Sequence, residues 1–222
     1  MNNPLRVLVA CEYSGAVREA FKARGHYALS CDLLPTEVPG NHYQGDVQDV
    51  LYDGWDLLIA HPPCTYLTVA GLRWLYHPDD KHLPHGERRP HPKYPNRRED
   101  QEAGLAFVKL LMAAPIAKKA IENPVSIISG RIRKPDQIIQ PWQHGHGETK
   151  ATCLWLENLP KLVPSNVVAG RENRVHFMPP SPNRWNKRSR TFPGIAAPLP
   201  EQWGSARRST GPRLSVGVSS AY

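Results

Sequence analysis

The run Asp56-Leu57-Leu58-Ile59-Ala60, followed at once by His61-Pro62-Pro63-Cys64, limits the possible folds of this chain more than any other stretch. A short apolar run closed by a turn reads as a buried strand. Two adjacent prolines fix two φ angles and remove two backbone donors, so no regular element continues through them. Cys64 is therefore held on a stiff turn at the rim of a sheet. In open α/β sheets, ligands and chemistry collect at the carboxyl ends of the strands. Position alone makes Cys64 a candidate nucleophile, with a small buried thiol capping a strand as the competing reading.

The rest of the chain supplies the sheet. Residues 5–11 read as a buried strand, Gly15 to Arg24 as an amphipathic helix ending at Gly25, and Tyr27 to Cys31 as a second strand ending in Asp32. Gly45-Asp46-Val47 follows a loop and precedes the Asp56–Ala60 strand. Strand–helix–strand alternation predicts a parallel sheet with right-handed crossovers. From Arg98 to Lys119 a helical pattern places Ala103, Phe107, Leu110 and Leu111 on one face, with Pro115 ending it. Ala120-Ile121-Glu122 reads as a short strand running into Asn123-Pro124, Thr152 to Leu156 as the last clear strand, and Ala196 to Trp203 as a short helix.

The 222 residues suit one domain with a substantial core. No apolar run approaches the roughly 18 residues needed to span a bilayer. Met1-Asn2-Asn3-Pro4 leads straight into the first strand, so no leader peptide is expected and the cytoplasm is the expected compartment, a host cytoplasm if the chain is phage-encoded. Cys11, Cys31, Cys64 and Cys153 form no CxxC pair, which argues against both a zinc knuckle and a disulfide framework. No metal is expected, because the spacings of His77, His82, His85 and His91 match no usual ligand pattern.

Lys and Arg outnumber Asp and Glu by 28 to 20, a net charge of +8 that favours an anionic partner such as nucleic acid. The cations cluster as Arg88, Arg89, Lys93, Arg97 and Arg98, and as Arg171, Arg174, Arg184, Lys187, Arg188 and Arg190. The first cluster lies in a long polar segment, residues 73–98, of the kind that serves as a lid or binding loop.

Three further sites carry chemistry. The opening strand–turn–helix, Cys11-Glu12-Tyr13-Ser14-Gly15 into Ala16-Val17-Arg18, is a small-residue turn at a helix start, where backbone amides approach a polar ligand. Asp32 is placed to accept from a ribose diol and Asp46 from an adenine amino group, with N-capping as the plainer role of each. Glu122 closes an apolar segment and is locked by Asn123-Pro124; desolvation there favours its protonated form, which donates to a ring nitrogen. Pairing to a neighbouring arginine is the alternative.

In this order the segments resemble motifs I, II, III, IV and VI of the DNA cytosine 5-methyltransferases. Cys11 to Arg18 stands where that family has a Phe-x-Gly-x-Gly turn, with Tyr13 replacing the first glycine. Pro63-Cys64-Thr65-Tyr66-Leu67-Thr68-Val69-Ala70-Gly71 is similar to its catalytic Pro-Cys-Gln-x-Phe-Ser-x-x-Gly loop, and Glu122-Asn123-Pro124 to Glu-Asn-Val. Gly147 to Thr152 resembles a degenerate motif VIII, with Lys150 and Thr152 where arginines are usual, and Thr191 to Ala196 a remnant of motif X. The short, phage-type members are the nearest in kind, since no large target-recognition domain is present.

The resemblance implies an S-adenosylmethionine-dependent methyltransferase (Rossmann-like) fold, a mostly parallel sheet with helices on both faces, in one domain spanning 1–222. Residues 160–190 would form a reduced target-recognition region. It implies Cys64, Glu122, Asn123 and Lys150 at the reacting base, with Cys64 activated by nearby cations. Cys11, Glu12, Tyr13, Ser14, Gly15, Asp32, Leu33, Asp46, Val47 and Pro62 would stand around the cofactor. Thr68, Arg73, Arg88, Arg89, Arg97, Arg98, Arg184, Lys187, Arg188 and Arg190 would lie against DNA. Two other readings stay open: an amino-methyltransferase built on His61-Pro62-Pro63, and a catalytically degenerate nucleic-acid-binding fold.

Overall fold

The computed structural model describes residues 3–204. Its seven strands are β1 (Arg6–Ala10), β2 (Tyr27–Asp32), β3 (His42–Gln44), β4 (Leu57–Ala60), β5 (Lys118–Pro124), β6 (Gln137–Ile139) and β7 (Thr152–Glu157). They form one sheet in the order β3-β2-β1-β4-β5-β7-β6. The first five are parallel, and β7 runs antiparallel to both β5 and β6. The chain winds outward from β1 to β3, then crosses back to β4, so the topological switch falls between β1 and β4.

Both faces of the central strands are apolar, as burial in a parallel sheet requires. On one face Leu8, Leu58, Ile121 and Trp155 pack with Leu105, Val108 and Leu111 of α2 (Arg97–Ala113). On the other, Val7, Val9, Leu57 and Ile59 pack with Val17 and Phe21 of α1 (Ala16–Ala23) and with Ile195, Leu199 and Trp203. These last three lie on two short helices, Pro193–Ala196 and Leu199–Trp203, where the sequence suggested one helix over 196–203. α1 stops at Gly25, whose φ of 80° suits the left-handed position after a helix.

Two sequence expectations are corrected. The helix expected over 98–119 spans Arg97–Ala113, and its far end is the start of β5; the turn at Ala114-Pro115 separates them. Its buried stripe is Arg97, Gln101, Leu105, Val108 and Leu111, leaving Ala103 exposed and Phe107 and Leu110 half-buried. Residues 73–98 carry 3-10 turns at Pro78–His82 and His85–Glu87 and run into α2. Buried Asp80 accepts from the backbone N, Nε and Nη2 of Arg89 at 2.8, 2.9 and 2.6 Å, and Arg89 holds its carboxyl well below the usual range. Trp74 packs edge-on against His91 and Tyr94. Among the described residues no helix is long and apolar enough to cross a membrane.

Candidate active site

Register brings the sequence-predicted residues into line. Ala10 pairs with Cys31 and with Ala60, and Ala60 with Ile121, so four strands end level. The residues that follow, Cys11, Asp32, His61 and Glu122, therefore form one row along the rim at the switch point, with Cys64 one turn beyond His61.

The Pro-Pro turn is fixed from both sides. Asn123, 1% exposed, donates Nδ2 to Pro62 O at 2.9 Å. The Cys64 carbonyl accepts from the amides of Leu67 and Thr68, each at 3.0 Å, and Thr68 bridges to Ser126. From α2, Arg97 donates to Thr65 O at 2.8 Å while lying over the Tyr66 and Tyr94 rings, and Gln101 donates to Tyr66 O at 2.9 Å. These two polar residues sit in the buried stripe of α2 because they hold the cysteine loop.

The Glu122 carboxylate differs from the sequence expectation of a protonated acid. Burial pushes it up, but His61 Nδ1 lies 2.6 Å from Oε2, and that bond and charge hold Glu122 below its ordinary value. His61 responds in the opposite sense: burial lowers it, and Glu122 more than offsets this and raises it. The pair is the functional feature that the sequence reading missed. His61 was legible as part of the turn, but its partner is set only by the register of β4 on β5.

The cations expected near Cys64 act on it but are outweighed. Lys150 and Arg188 do lower its thiol, but burial and the Glu122 charge outweigh them, so it rests above the ordinary thiol value. Lys150 also extends Nζ toward Arg190 O at 3.4 Å and the Phe192 ring. His61, Glu122, Lys150 and Thr152 line a cavity of about 30 Å³ together with Ile59, Leu154 and Trp203 among others.

Of the ten residues expected around a cofactor, several are already engaged. Glu12 is 4% exposed and caps α1: Oε1 accepts from Val17 N at 2.7 Å and Oε2 from Arg18 N at 3.1 Å, with Ser14 Oγ at 3.3 Å. Gly15, at φ 73°, makes the turn, and a Cβ there would stand 2.7 Å from Arg18 Nη2. Asp46 caps a single 3-10 turn starting at buried Val47, accepting from Gln48 N at 2.9 Å. Asp32 accepts from Leu34 N at 2.9 Å, and burial raises its carboxyl. Cys11 adopts φ 59°, and burial followed by Asp32 pushes its thiol up. Leu33 stands 73% exposed beside Asp32.

Tyr13 is buried beneath the short helix Arg184–Ser189, its hydroxyl 3.0 Å from both Asn186 O and Ser189 Oγ, its ring 6.4 Å from that of Trp185. Arg190 pairs with Glu37, tying the end of this segment to the loop after β2. The basic segment 184–190 thus lies across the βα1 turn.

The candidate DNA-facing arginines divide in two. Arg88 donates to Leu83 O and Lys81 O, Arg89 to Asp80 and Arg98 to Arg88 O, so these three hold their own segment, while Arg97 holds the cysteine loop through Thr65 O. Arg184 donates to Met178 O, and Arg73 lies over Trp74. Lys187 and Arg188 have no carboxylate partner among the described residues.

No protein-family model matches the sequence, and no curated protein matches it. Two solved structures are distantly similar to the chain. One is described as a DNA modification methyltransferase encoded within an E. coli prophage, with a TM-score of 0.44 and 11% identity over 80% of this chain and 56% of the other. Another is a mutant of DNMT2 from Spodoptera frugiperda, with a TM-score of 0.40 and 12% identity over 74% of this chain and 54% of the other. The chain thus spans little more than half the length of these neighbours, and likenesses so distant say nothing of the reaction.

Proposed function

We propose that this chain transfers a methyl group from S-adenosylmethionine to carbon 5 of cytosine in DNA, through a transient bond between Cys64 and carbon 6. The observation that carries the reading is the convergence of Cys64 and Glu122 at the ends of adjacent strands β4 and β5, close enough for the carboxylate charge to act on the thiol. A stacked base offers no approach to carbon 6, so the cytosine would leave the helix. The Cys64 thiolate adds to carbon 6 as the 5,6 double bond opens. Glu122 holds the ring nitrogen and exocyclic amine, stabilising charge that develops on addition. Carbon 5 gains electron density and takes the methyl, with S-adenosylhomocysteine as the leaving group; water then takes the carbon 5 proton as the 5,6 double bond re-forms and Cys64 leaves as thiolate. Asn123 and Arg97 act earlier, holding the turn and loop on which the nucleophile sits.

The rim suits the methyl donor in part. Asp32 and Asp46 form an acidic set fitting a ribose diol and a cationic methionyl group, and Leu33 offers an apolar surface for adenine. The first amides of α1 are taken by Glu12, so a methionyl carboxylate would find its donors elsewhere. When bound, the donor supplies an electrophilic methyl.

Trapping on DNA containing 5-fluorocytosine tests the reading, because fluorine blocks the last proton loss. A covalent complex is expected with the wild type and none with Cys64→Ser. Methyl label on an exocyclic amine would instead mark an amino-methyltransferase. Burial of Tyr13 beneath the helix Arg184–Ser189 favours one further reading, a fold that binds nucleic acid without catalysis; DNA binding with neither adduct nor label transfer would establish it.

Phosphate contact falls to the cations left uncommitted. Alanine at both Lys187 and Arg188 is expected to weaken DNA binding and reduce the slope of log affinity against log salt by about two. An unchanged slope in a salt titration would place the DNA elsewhere.

A further inference from the structure

We propose that His61 is the proton source for Glu122, so that this pair, rather than a protonated carboxyl alone, supplies the proton taken by the cytosine ring nitrogen. The inference rests on the cytosine reading above and adds a role for a residue outside the nucleophile and the carboxylate.

The geometry is specific. His61 Nδ1 and Glu122 Oε2 stand 2.6 Å apart with side chains 12% and 18% exposed. His61 Nε2 is buried and has no hydrogen-bond partner among the described residues, the Cys64 thiol included. His61 also lines the small cavity shared with Lys150 and Thr152. The hydrogen bond of its ring goes to Glu122.

The chemistry requires such a source. Addition of the thiolate to carbon 6 places negative charge on the ring, and its nitrogen must be protonated or strongly hydrogen-bonded. A carboxylate held ionised has no proton to give. With His61 charged, the proton passes from Nδ1 to the carboxyl and from the carboxyl to the ring nitrogen, leaving neutral His61 and ionised Glu122. When Cys64 is expelled the ring-nitrogen proton returns by the same route, so the pair ends as it began, and the carbon 5 proton goes to water. The pair titrates as a unit. Glu12 on the βα1 turn, Asp32 at the end of β2 and Lys150 before β7 act on it, and Glu122 in turn raises Cys64 and Cys153.

The test is the pH dependence of single-turnover methyl transfer by wild type and His61→Gln, with thermal melts to confirm that both are folded. Glutamine bonds the carboxylate but stores no proton. Because the histidine is raised, wild type keeps its proton until pH passes that raised value. In the variant, the alkaline fall is expected at lower pH, with roughly a tenfold loss at the alkaline end relative to its own maximum. A variant profile parallel to wild type, merely scaled, would mean a structural role and overturn the proposal. Proton NMR of wild type labelled at histidine nitrogen gives a readout independent of turnover. A His61 Nδ1 proton titrating with the alkaline limb supports the relay, and a neutral His61 throughout refutes it. Wild type that never methylates cytosine sinks the functional reading and this inference together, whereas an active wild type with a parallel variant sinks this inference alone.

Discussion

Replacing Arg18 with methionine is expected to lower stability by about 3 kcal/mol, and the melting temperature by about 6–12 °C. Arg18 is completely buried, yet it is a permanent cation. Its guanidinium donates to Ser30 Oγ at 2.9 Å, Thr36 Oγ1 at 3.2 Å, Val38 O at 2.5 Å and Glu19 Oε1 at 2.9 Å. Methionine keeps the apolar stem and removes every donor. Glu19 is one-third exposed and turns to water, which places the cost at the lower end for breaking a buried ion pair. Ser30 keeps its bond to His42 Nδ1 at 2.8 Å, so the loss concentrates on Thr36 and Val38. These lie in the loop after Asp32 and Leu33, so that loop should lose hydrogen-exchange protection before the sheet does. Urea denaturation with exchange measurements checks both parts, and a variant as stable as wild type would contradict them.

Arg18 was visible in the sequence as the end of the first turn motif, but its burial was not. The strands β1, β2 and β4 were legible from their apolar centres, and β5 from Ala120-Ile121 alone, since Lys118, Lys119 and Asn123 are also buried in it. The two missed strands, His42–Gln44 and Gln137–Ile139, have three residues each, too few to show a period, and exist through pairing to β2 and β7. The stripe of α2 was misplaced because Arg97 and Gln101 face inward, and polar residues in a buried stripe read as surface. The same cause hid the commitments of Arg88, Arg89 and Arg98. A charge cluster in sequence does not reveal that its carbonyl and carboxylate partners lie within the same insertion. The row of Cys11, Asp32, His61 and Glu122 followed from strand ends that sequence alone supplied, whereas the His61–Glu122 bond joins residues 61 apart and needed the register.

Glu122→Gln is expected to move two properties of Cys64 in opposite directions. The Glu122 charge is one of the two groups of forces holding that thiol up, the other being burial, while Lys150 and Arg188 pull it down. Glutamine removes the charge and leaves burial and both cations, so the thiol value falls and more thiolate exists at a given pH. Alkylation of Cys64 by iodoacetamide at a fixed, mildly alkaline pH should therefore be several-fold faster, as thiolate is the reactive form. Methyl transfer should nonetheless fall by about 100- to 1,000-fold, the usual loss when one group stabilising developing charge is removed. The more reactive thiol would belong to the less active enzyme, because addition to cytosine is limited by charge on the ring and not by the supply of thiolate. Parallel changes in the two rates would mean that Glu122 acts only through the thiol, and transfer at the wild-type rate would remove it from the chemistry.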